Sequence, residues 1–308
     1  MKILFTGATS FTGAWFVEAL HAAGFDVTVT LKQALDAYGG TRALRLHKLA
    51  GAAKIVPNAR FGDEAFQELI RGQDFDALCH HAAVVGDYRS PDFRVAVALA
   101  QNTNNLRAVL TTMAKRRLRV VIATGSVFEN DEGTGDRPLR AFSPYGLSKG
   151  LTWQVLRYWC TCLGISLGKF TIANPFGPME EPRFVNYLAK TWREGGIAQV
   201  RTPDYVRDNI HVDLLASTYA RFVQQTVEAK QDGRFGPCGY VETQGAFAQR
   251  VAAEFRKRLG LECRVNLLTQ TDFPEPLIRT NTNVIAPSEY DWSENGAWDA
   301  LVRYYHSG

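Results

Sequence analysis

The chain opens Lys2-Ile3-Leu4-Phe5-Thr6-Gly7-Ala8-Thr9-Ser10-Phe11-Thr12-Gly13, and the reading of this stretch sets the fold class. Lys2–Phe5 is a short apolar run, and Trp15, Phe16 and Leu20 follow Gly13 at helical spacing. The pattern is strand, glycine-bearing turn, helix. Turn amides at a helix N-terminus, aided by the helix dipole, form a cradle for phosphate. A dinucleotide fingerprint carries a middle glycine so that the backbone can approach a pyrophosphate closely. Here that position is Ser10, which is small and has a hydroxyl to donate to phosphate. Gly7, Thr9, Ser10, Phe11, Thr12 and Gly13 are therefore the candidate cofactor turn.

Asp26–Thr30 reads as the second strand. An NAD site places Asp or Glu ~20 residues past the glycine turn, to accept from a ribose hydroxyl. This strand ends in Thr30-Leu31-Lys32-Gln33, without a carboxylate and with a cation. Lys32 would attract a 2′-phosphate, which favours NADP; if Asp36 takes the ribose instead, the cofactor is NAD. Ala53–Val56, Phe75–Cys79, Arg119–Ala123 and Leu167–Ile172 read as further strands. Helices are predicted after Asp63, over Phe93–Lys115 and from Lys149 to about Leu163.

Apolar strands alternating with amphipathic helices predict an α/β fold, a Rossmann-type doubly wound parallel sheet. Ligands of such sheets lie at the carboxyl ends of the strands. The glycine turn, His81-Ala82-Ala83 and Thr124-Gly125-Ser126 all fall there. Composition shifts after Asn174-Pro175-Phe176-Gly177-Pro178. Residues 1–174, with a returning segment at about 205–230, are expected to form the NAD(P)-binding domain. Residues 175–204 and 231–308 are expected to form a smaller C-terminal α/β substrate-binding domain.

A second stretch, Ser143-Pro144-Tyr145-Gly146-Leu147-Ser148-Lys149, carries the chemistry. Tyr145 and Lys149 stand one helical turn apart on one face, with Pro144 where a helix start tolerates proline. An ammonium beside a phenol favours the phenolate, which makes Tyr145 an acid/base able to work near neutral pH.

Composition bounds the alternatives. Of 308 residues, 46% are hydrophobic, enough for a sizeable core without disulfides or metals. A formal charge of +4 is too small to argue for nucleic acid but suits a small anionic ligand. The five cysteines form no framework and fit reduced thiols, hence a cytoplasmic location. Cys79-His80-His81 alternates faces along a strand and cannot readily share one metal ion. No apolar run reaches the ~18 residues of a membrane span. The opening strand is expected to leave no room for a signal peptide.

Taken together, these elements resemble the extended short-chain dehydrogenase/reductase family, in the branch that modifies nucleotide-linked sugars. The matching residues are Thr6-Gly7-x-x-Ser10-x-x-Gly13, His80-x-Ala82-Ala83, Thr124 before Val127-Phe128, Tyr145-x-x-x-Lys149, Asn174-Pro-Phe-Gly-Pro178 and Arg207-Asp-x-Ile-His-Val-Asp213. They run in the family's order from residue 1 to about 215; the remainder matches loosely. The resemblance implies that Tyr145 is the acid/base on a sugar oxygen, Lys149 holds the nicotinamide ribose and Thr124 donates to the same oxygen as Tyr145. Ser126 is the alternative to Thr124, or a substrate contact. Asn58 and Ala59 would border the adenine, and His81, Ala82 and Ala83 the cofactor. Asn174, Arg183, Arg207 and Arg279 would bind the nucleotide diphosphate of the substrate. A homodimer through the Phe93–Lys115 and Gly150–Leu163 helices is implied as well.

The family's 4,6-dehydratases follow the catalytic Thr with Asp-Glu, where this chain has Gly125-Ser126. Elimination needs a positioned acid/base pair, so the sequence argues against a dehydratase. With Lys32 at the strand end, the expectation is an NADP-dependent reductase of a keto group, at C4, on a nucleotide-linked deoxy sugar. An NAD-dependent nucleotide-sugar 4-epimerase is the alternative, and a non-catalytic NADP-binding redox sensor is a third reading.

Overall fold

Ile3, Leu4 and Phe5 have no exposed surface, as a strand covered on both faces requires. They form β1 (Lys2–Thr6) of a computed structural model that describes residues 1–88, 90–137 and 139–307. The chain continues through α1 (Phe11–Ala22), β2 (Asp26–Thr30), α2 (Gly40–Leu49), β3 (Lys54–Val56), α3 (Glu64–Gly72) and β4 (Ala77–His80). Next come α4 (Val95–Asn102), α5 (Leu106–Arg116), β5 (Val120–Ser126), β6 (Thr134–Gly135), α6 (Pro144–Leu163) and β7 (Ser166–Ile172). β8 (Asn174–Phe176), α7 (Phe184–Arg193), β9 (Ile197–Val200), β10 (Val206–His211), α8 (Val212–Ala229) and β11 (Gly233–Phe235) follow. The chain closes with β12 (Tyr240–Thr243), α9 (Gln244–Leu259), β13 (Arg264–Leu267), β14 (Ile278–Thr280) and α10 (Glu294–Ser307).

Two compact units result. The first comprises Met1–Glu132, Arg140–Ile172 and Ala216–Phe235. Its sheet has seven strands in the order β11-β7-β5-β4-β1-β2-β3, and every neighbouring pair is parallel. The strand order reverses between β1 and β4, the switch point at which such sheets bind ligands. On one face Leu78, Val121 and Leu167 share a buried cluster with Val109 and Leu110 of α5 and Leu156 and Cys160 of α6. On the other, Phe16 of α1 stacks on Tyr219 of α8 with ring centroids 4.0 Å apart.

One predicted helix is two. The run expected over Phe93–Lys115 breaks at Asn105, whose backbone is left-handed (φ 49°). Asn104 and Asn105 donate through their side-chain amides to Phe61 O (3.2 Å) and Gly62 O (2.8 Å). These bonds span more than forty residues, so no local pattern announces the break.

The second unit comprises Gly133–Leu139, Ala173–Leu215 and Gly236–Gly308. Its larger sheet runs β12-β10-β14-β6, with β8 also paired to β10, and β13 pairs with β9 separately. Leu188 and Trp192 of α7, Phe247 and Val251 of α9, and Trp298 and Leu301 of α10 share its core. Among the described residues no helix is long and apolar enough to cross a membrane, and none of their side chains cluster as a metal site.

Candidate active site

The glycine turn meets the switch point at Gly7, whose left-handed backbone (φ 82°) would place a Cβ 2.8 Å from Ala82 N. Only glycine allows this contact. Gly13 is equally constrained, since its Cβ would stand 2.3 Å from Gly7 O. The turn thus lies flush against Ala82, and α1 starts directly behind it. That arrangement fits the pyrophosphate of a dinucleotide.

Ser10 has another task than the phosphate donation read from the sequence. It caps α1 by accepting from Gly13 N (3.1 Å), and it donates to Gly7 O (2.9 Å). Its oxygen also lies 3.0 Å from His81 Nε2. A residue the sequence reading missed supports the turn from outside. Arg45 of α2 is fully buried, donates to Thr9 O (3.3 Å) and lies over the Phe11 ring. Its signal in the sequence was a lone Arg on the buried face of an unread helix.

Lys32 and Gln33 are exposed past the end of β2, and Asp36 is exposed on the short turn Leu35–Ala37. Asn58 takes a left-handed backbone (φ 54°), and Ala59 N donates to Leu31 O (2.7 Å).

His80 and His81 turn to opposite faces at the end of β4. His80 is buried, with Nε2 2.9 Å from Asn102 O. Burial, then the nearby Lys149 charge, lowers its pKa to about 4. His81 stacks on Phe5 and meets the edge of Phe16. Its Nδ1 lies 2.9 Å from Thr124 Oγ1, while Nε2 faces Ser10 Oγ and, at 3.2 Å, Thr12 Oγ1. Burial first, then Lys149 and His80, lowers its pKa to about 3. The imidazole of His81 therefore looks into the protein between the glycine turn and Thr124; Ala82, not the ring, touches Gly7.

Thr124 is buried near the carboxyl end of β5. Lys149 is also buried, and its ammonium donates to Thr124 O. Desolvation pulls the Lys149 pKa down; the Glu129 carboxylate opposes this and Lys169 adds to it. Tyr145 lies one turn before Lys149 on the same helical face. Its half-buried ring meets the rings of Tyr88 and Phe93 edge-on, at 6.3 and 6.1 Å between centroids.

Helix α6 reaches this position because of its first turn. Ser143 is the N-cap and accepts from Gly146 N (3.3 Å), with Pro144 following. Gly146 presses on the loop after β5: a Cβ there would stand 2.1 Å from Phe128 O. Gly150, one turn on, lies close to Asn130 Oδ1, where a Cβ would stand 2.5 Å away. The pair Gly146/Gly150 at i,i+4 is a signature of close helix approach that the sequence reading passed over.

Behind Thr124 lies a buried ionic cluster. Lys169 of β7 donates to Glu129 and Glu132, each at 2.6 Å, and Arg234 pairs with Glu132. Glu129 also accepts from Ser126 N (2.8 Å). A Cβ on Gly125 would stand 2.6 Å from Lys169 Cε, so position 125 has no room for a carboxylate while Lys169 stays in place. Ser126 is half-buried at the strand end.

The remaining predicted substrate residues belong to the second unit. Arg207 of β10 and Arg279 of β14 are register partners on adjacent parallel strands, and both are buried. Arg207 pairs with Glu275 (2.9 Å) and lies over the Tyr205 ring. Asn174 pairs in register with Asn209. Arg183 is exposed at the N-cap of α7.

Comparison with known proteins adds to this geometry. No curated protein matches the chain. Among solved structures, the UDP-glucuronic acid 4-epimerase of Bacillus cereus in complex with UDP-glucuronic acid and NAD superposes with a TM-score of 0.76 at 18% identity, covering 100% of this chain and 99% of that one. The UDP-glucose-4-epimerase of Stenotrophomonas maltophila, with bound NAD and formylated UDP-arabinopyranose, gives 0.76 at 18%, over 100% and 98% of the two chains. The UDP-N-acetylglucosamine 4-epimerase of Methanobrevibacter ruminantium M1, in complex with UDP-N-acetylmuramic acid, gives 0.71 at 17%, over 99% and 98%. At such identity these likenesses establish the fold. The family model for NAD dependent epimerases/dehydratases matches residues 3–235, and with that match the chain belongs to the NAD dependent epimerase/dehydratase family, of the extended short-chain dehydrogenase/reductase type.

Proposed function

We propose that the protein is an oxidoreductase of nucleotide-linked sugars working as a 4-epimerase with NAD. The observation that carries this reading is the junction of β5 and α6: Lys149, one helical turn after Tyr145, donates to the main-chain O of Thr124, and Gly125 is backed by Lys169 where elimination chemistry would need an acid. Bound nicotinamide would take up a hydride from the sugar carbon and return it. Tyr145 takes the proton of the O4 hydroxyl and gives it back; the Lys149 charge favours its phenolate. Thr124 donates to the same oxygen and orients it. The glycine turn and Lys149 hold the cofactor, and Asn174, Arg183, Arg207 and Arg279 take the diphosphate of the sugar nucleotide.

Epimerisation is preferred to net reduction because full-length structural neighbours are 4-epimerases captured with NAD and UDP sugars. One observation favours the second reading, an NADP-dependent ketoreductase: the strand end after β2 presents Lys32 and no carboxylate. A homodimer through α6 accords with Leu147, Leu151 and Tyr158, exposed at 42%, 36% and 61% along one side of that helix. A panel of UDP sugars and nucleotide 4-keto sugars, followed by sugar analysis and nicotinamide absorbance, tests the reading. Interconversion without cofactor consumption supports the epimerase. Stoichiometric NADPH consumption with a 4-keto sugar supports the reductase instead.

A further inference from the structure

Three hydroxyls meet one imidazole in the interior of the first unit, and counting their protons gives Thr124 a defined role. His81 Nδ1 faces Thr124 Oγ1 alone (2.9 Å), whereas Nε2 faces both Ser10 Oγ (3.0 Å) and Thr12 Oγ1 (3.2 Å). Ser10 accepts from Gly13 N, and its own proton has two acceptors in reach, Gly7 O (2.9 Å) and His81 Nε2. Thr12 is buried, and among the described residues His81 Nε2 is the hydrogen-bond partner of its hydroxyl. If Nε2 carried the ring proton, the Thr12 hydroxyl would be buried without an acceptor, at a cost of ~1–3 kcal/mol. If Nδ1 carries it, the Ser10 and Thr12 hydroxyls both donate to Nε2, Gly7 O keeps its bond from Ser10 N, and Nδ1–H donates to Thr124 Oγ1, so no proton is left without an acceptor. Thr124, whose side chain also meets the buried Tyr219 hydroxyl, accepts from Nδ1–H and from that phenol, and then has its own proton left to give.

We propose that His81 is a positioning residue that holds Thr124 as a hydrogen-bond donor to the sugar oxygen and couples that hydroxyl to the glycine turn through Thr12. A neutral ring is required, and burial keeps His81 neutral across the physiological range. The second tautomer would take up the Thr124 proton and turn its hydroxyl into an acceptor, useless to an alcohol that must lose a proton to Tyr145. The inference rests on the reading of Thr124 as the hydroxyl that contacts substrate.

Steady-state kinetics on the sugar nucleotide that the panel shows to be active tests both separately. Thr124→Val should lower kcat. His81→Leu should lower kcat by at least about tenfold, with KM for the sugar nucleotide and retention of bound cofactor unchanged. His81→Asn, whose amide reaches the place of Nδ1, should restore most of the rate. In the Thr124→Val background His81→Leu should cost nothing further. An unchanged kcat in Thr124→Val overturns the assignment of Thr124, and the inference with it. A slowed Thr124→Val beside an unchanged His81→Leu, or tenfold losses that multiply in the double variant, overturns the inference alone. Should His81→Leu fail to fold, ring-nitrogen NMR of the histidines in the unaltered protein decides, with His81 assigned by its response to Thr124→Val. A protonated Nδ1 is expected, and a protonated Nε2 overturns the proposal.

Discussion

The ammonium of Lys149 donates to the main-chain carbonyl of Thr124, so the end of β5 and the first turns of α6 are joined at the proposed proton-transfer centre. The bond fixes Lys149 without consuming the Thr124 hydroxyl, and it sets the Lys149 charge one helical turn from Tyr145.

Lys149→Met should therefore act through Tyr145. Without the neighbouring charge the phenolate forms only at higher pH. We expect kcat to fall by ~10²-fold or more and the residual rate to climb with pH into the alkaline range. A residual rate that is flat with pH would mean that Lys149 does not tune the phenol.

Lys169→Met should destabilise the fold without touching the cofactor. It leaves Glu129 and Glu132 buried, with exposed Arg234 as the remaining cation paired to Glu132. Removing one partner of a buried ion pair costs about 3–5 kcal/mol. Urea unfolding should show a loss of this order that shrinks as acid protonates the stranded carboxylates. A loss below ~1 kcal/mol at neutral pH would show that the cluster behaves like a surface pair.

Gly146→Ala should separate helix placement from chemistry. Its Cβ would stand 2.1 Å from Phe128 O, so α6 must move away from the loop after β5. Overpacking of this kind costs about 1–3 kcal/mol, and a displacement of Tyr145 and Lys149 by even a fraction of an ångström lowers kcat. Loss of both stability and kcat is expected. Unimpaired turnover would show that the approach of α6 is not needed to place Tyr145.

Stability should fall in acid. His80, His81 and His211 are held neutral by burial, with pKa lowered from 6.5 to about 4, about 3 and about 3. Below 6.5 the unfolded chain takes up protons that the folded chain refuses. The contribution is complete above 6.5 and is lost progressively as pH falls towards the folded values. Glu180, raised to about 7 mainly by burial, works in the opposite sense, its contribution fading as pH rises. With three groups against one, the thermal midpoint should drop between pH ~7 and ~5. A midpoint that is level or rises over that interval contradicts the burial of the three rings.

The first unit was legible because its signals are local. An apolar run, a glycine turn and a helical spacing follow one another within twenty residues at the N-terminus, and the pattern recurs strand by strand. The motif Tyr145-x-x-x-Lys149 needed only its own spacing to be placed on one face. What escaped depends on distant partners. The break at Asn105 is made by carbonyls at Phe61 and Gly62. The burial of Lys169 needs Glu129 and Glu132 from another loop, and nothing in Leu167–Ile172 announces them. The inward ring of His81 follows from its side of β4, yet its hydroxyl partners come from two distant segments, the start of α1 and the end of β5. Cofactor choice was read from Lys32 alone, an exposed residue past the end of β2.

The most direct test of the central claim follows the hydride. The purified protein should be given a UDP sugar deuterated at C4, with products separated and analysed by mass and NMR. The account predicts a mixture of C4 epimers in which the product keeps its deuterium, with no net change in nicotinamide absorbance. Product that has lost the label, or one cofactor consumed for each sugar reduced, would contradict it.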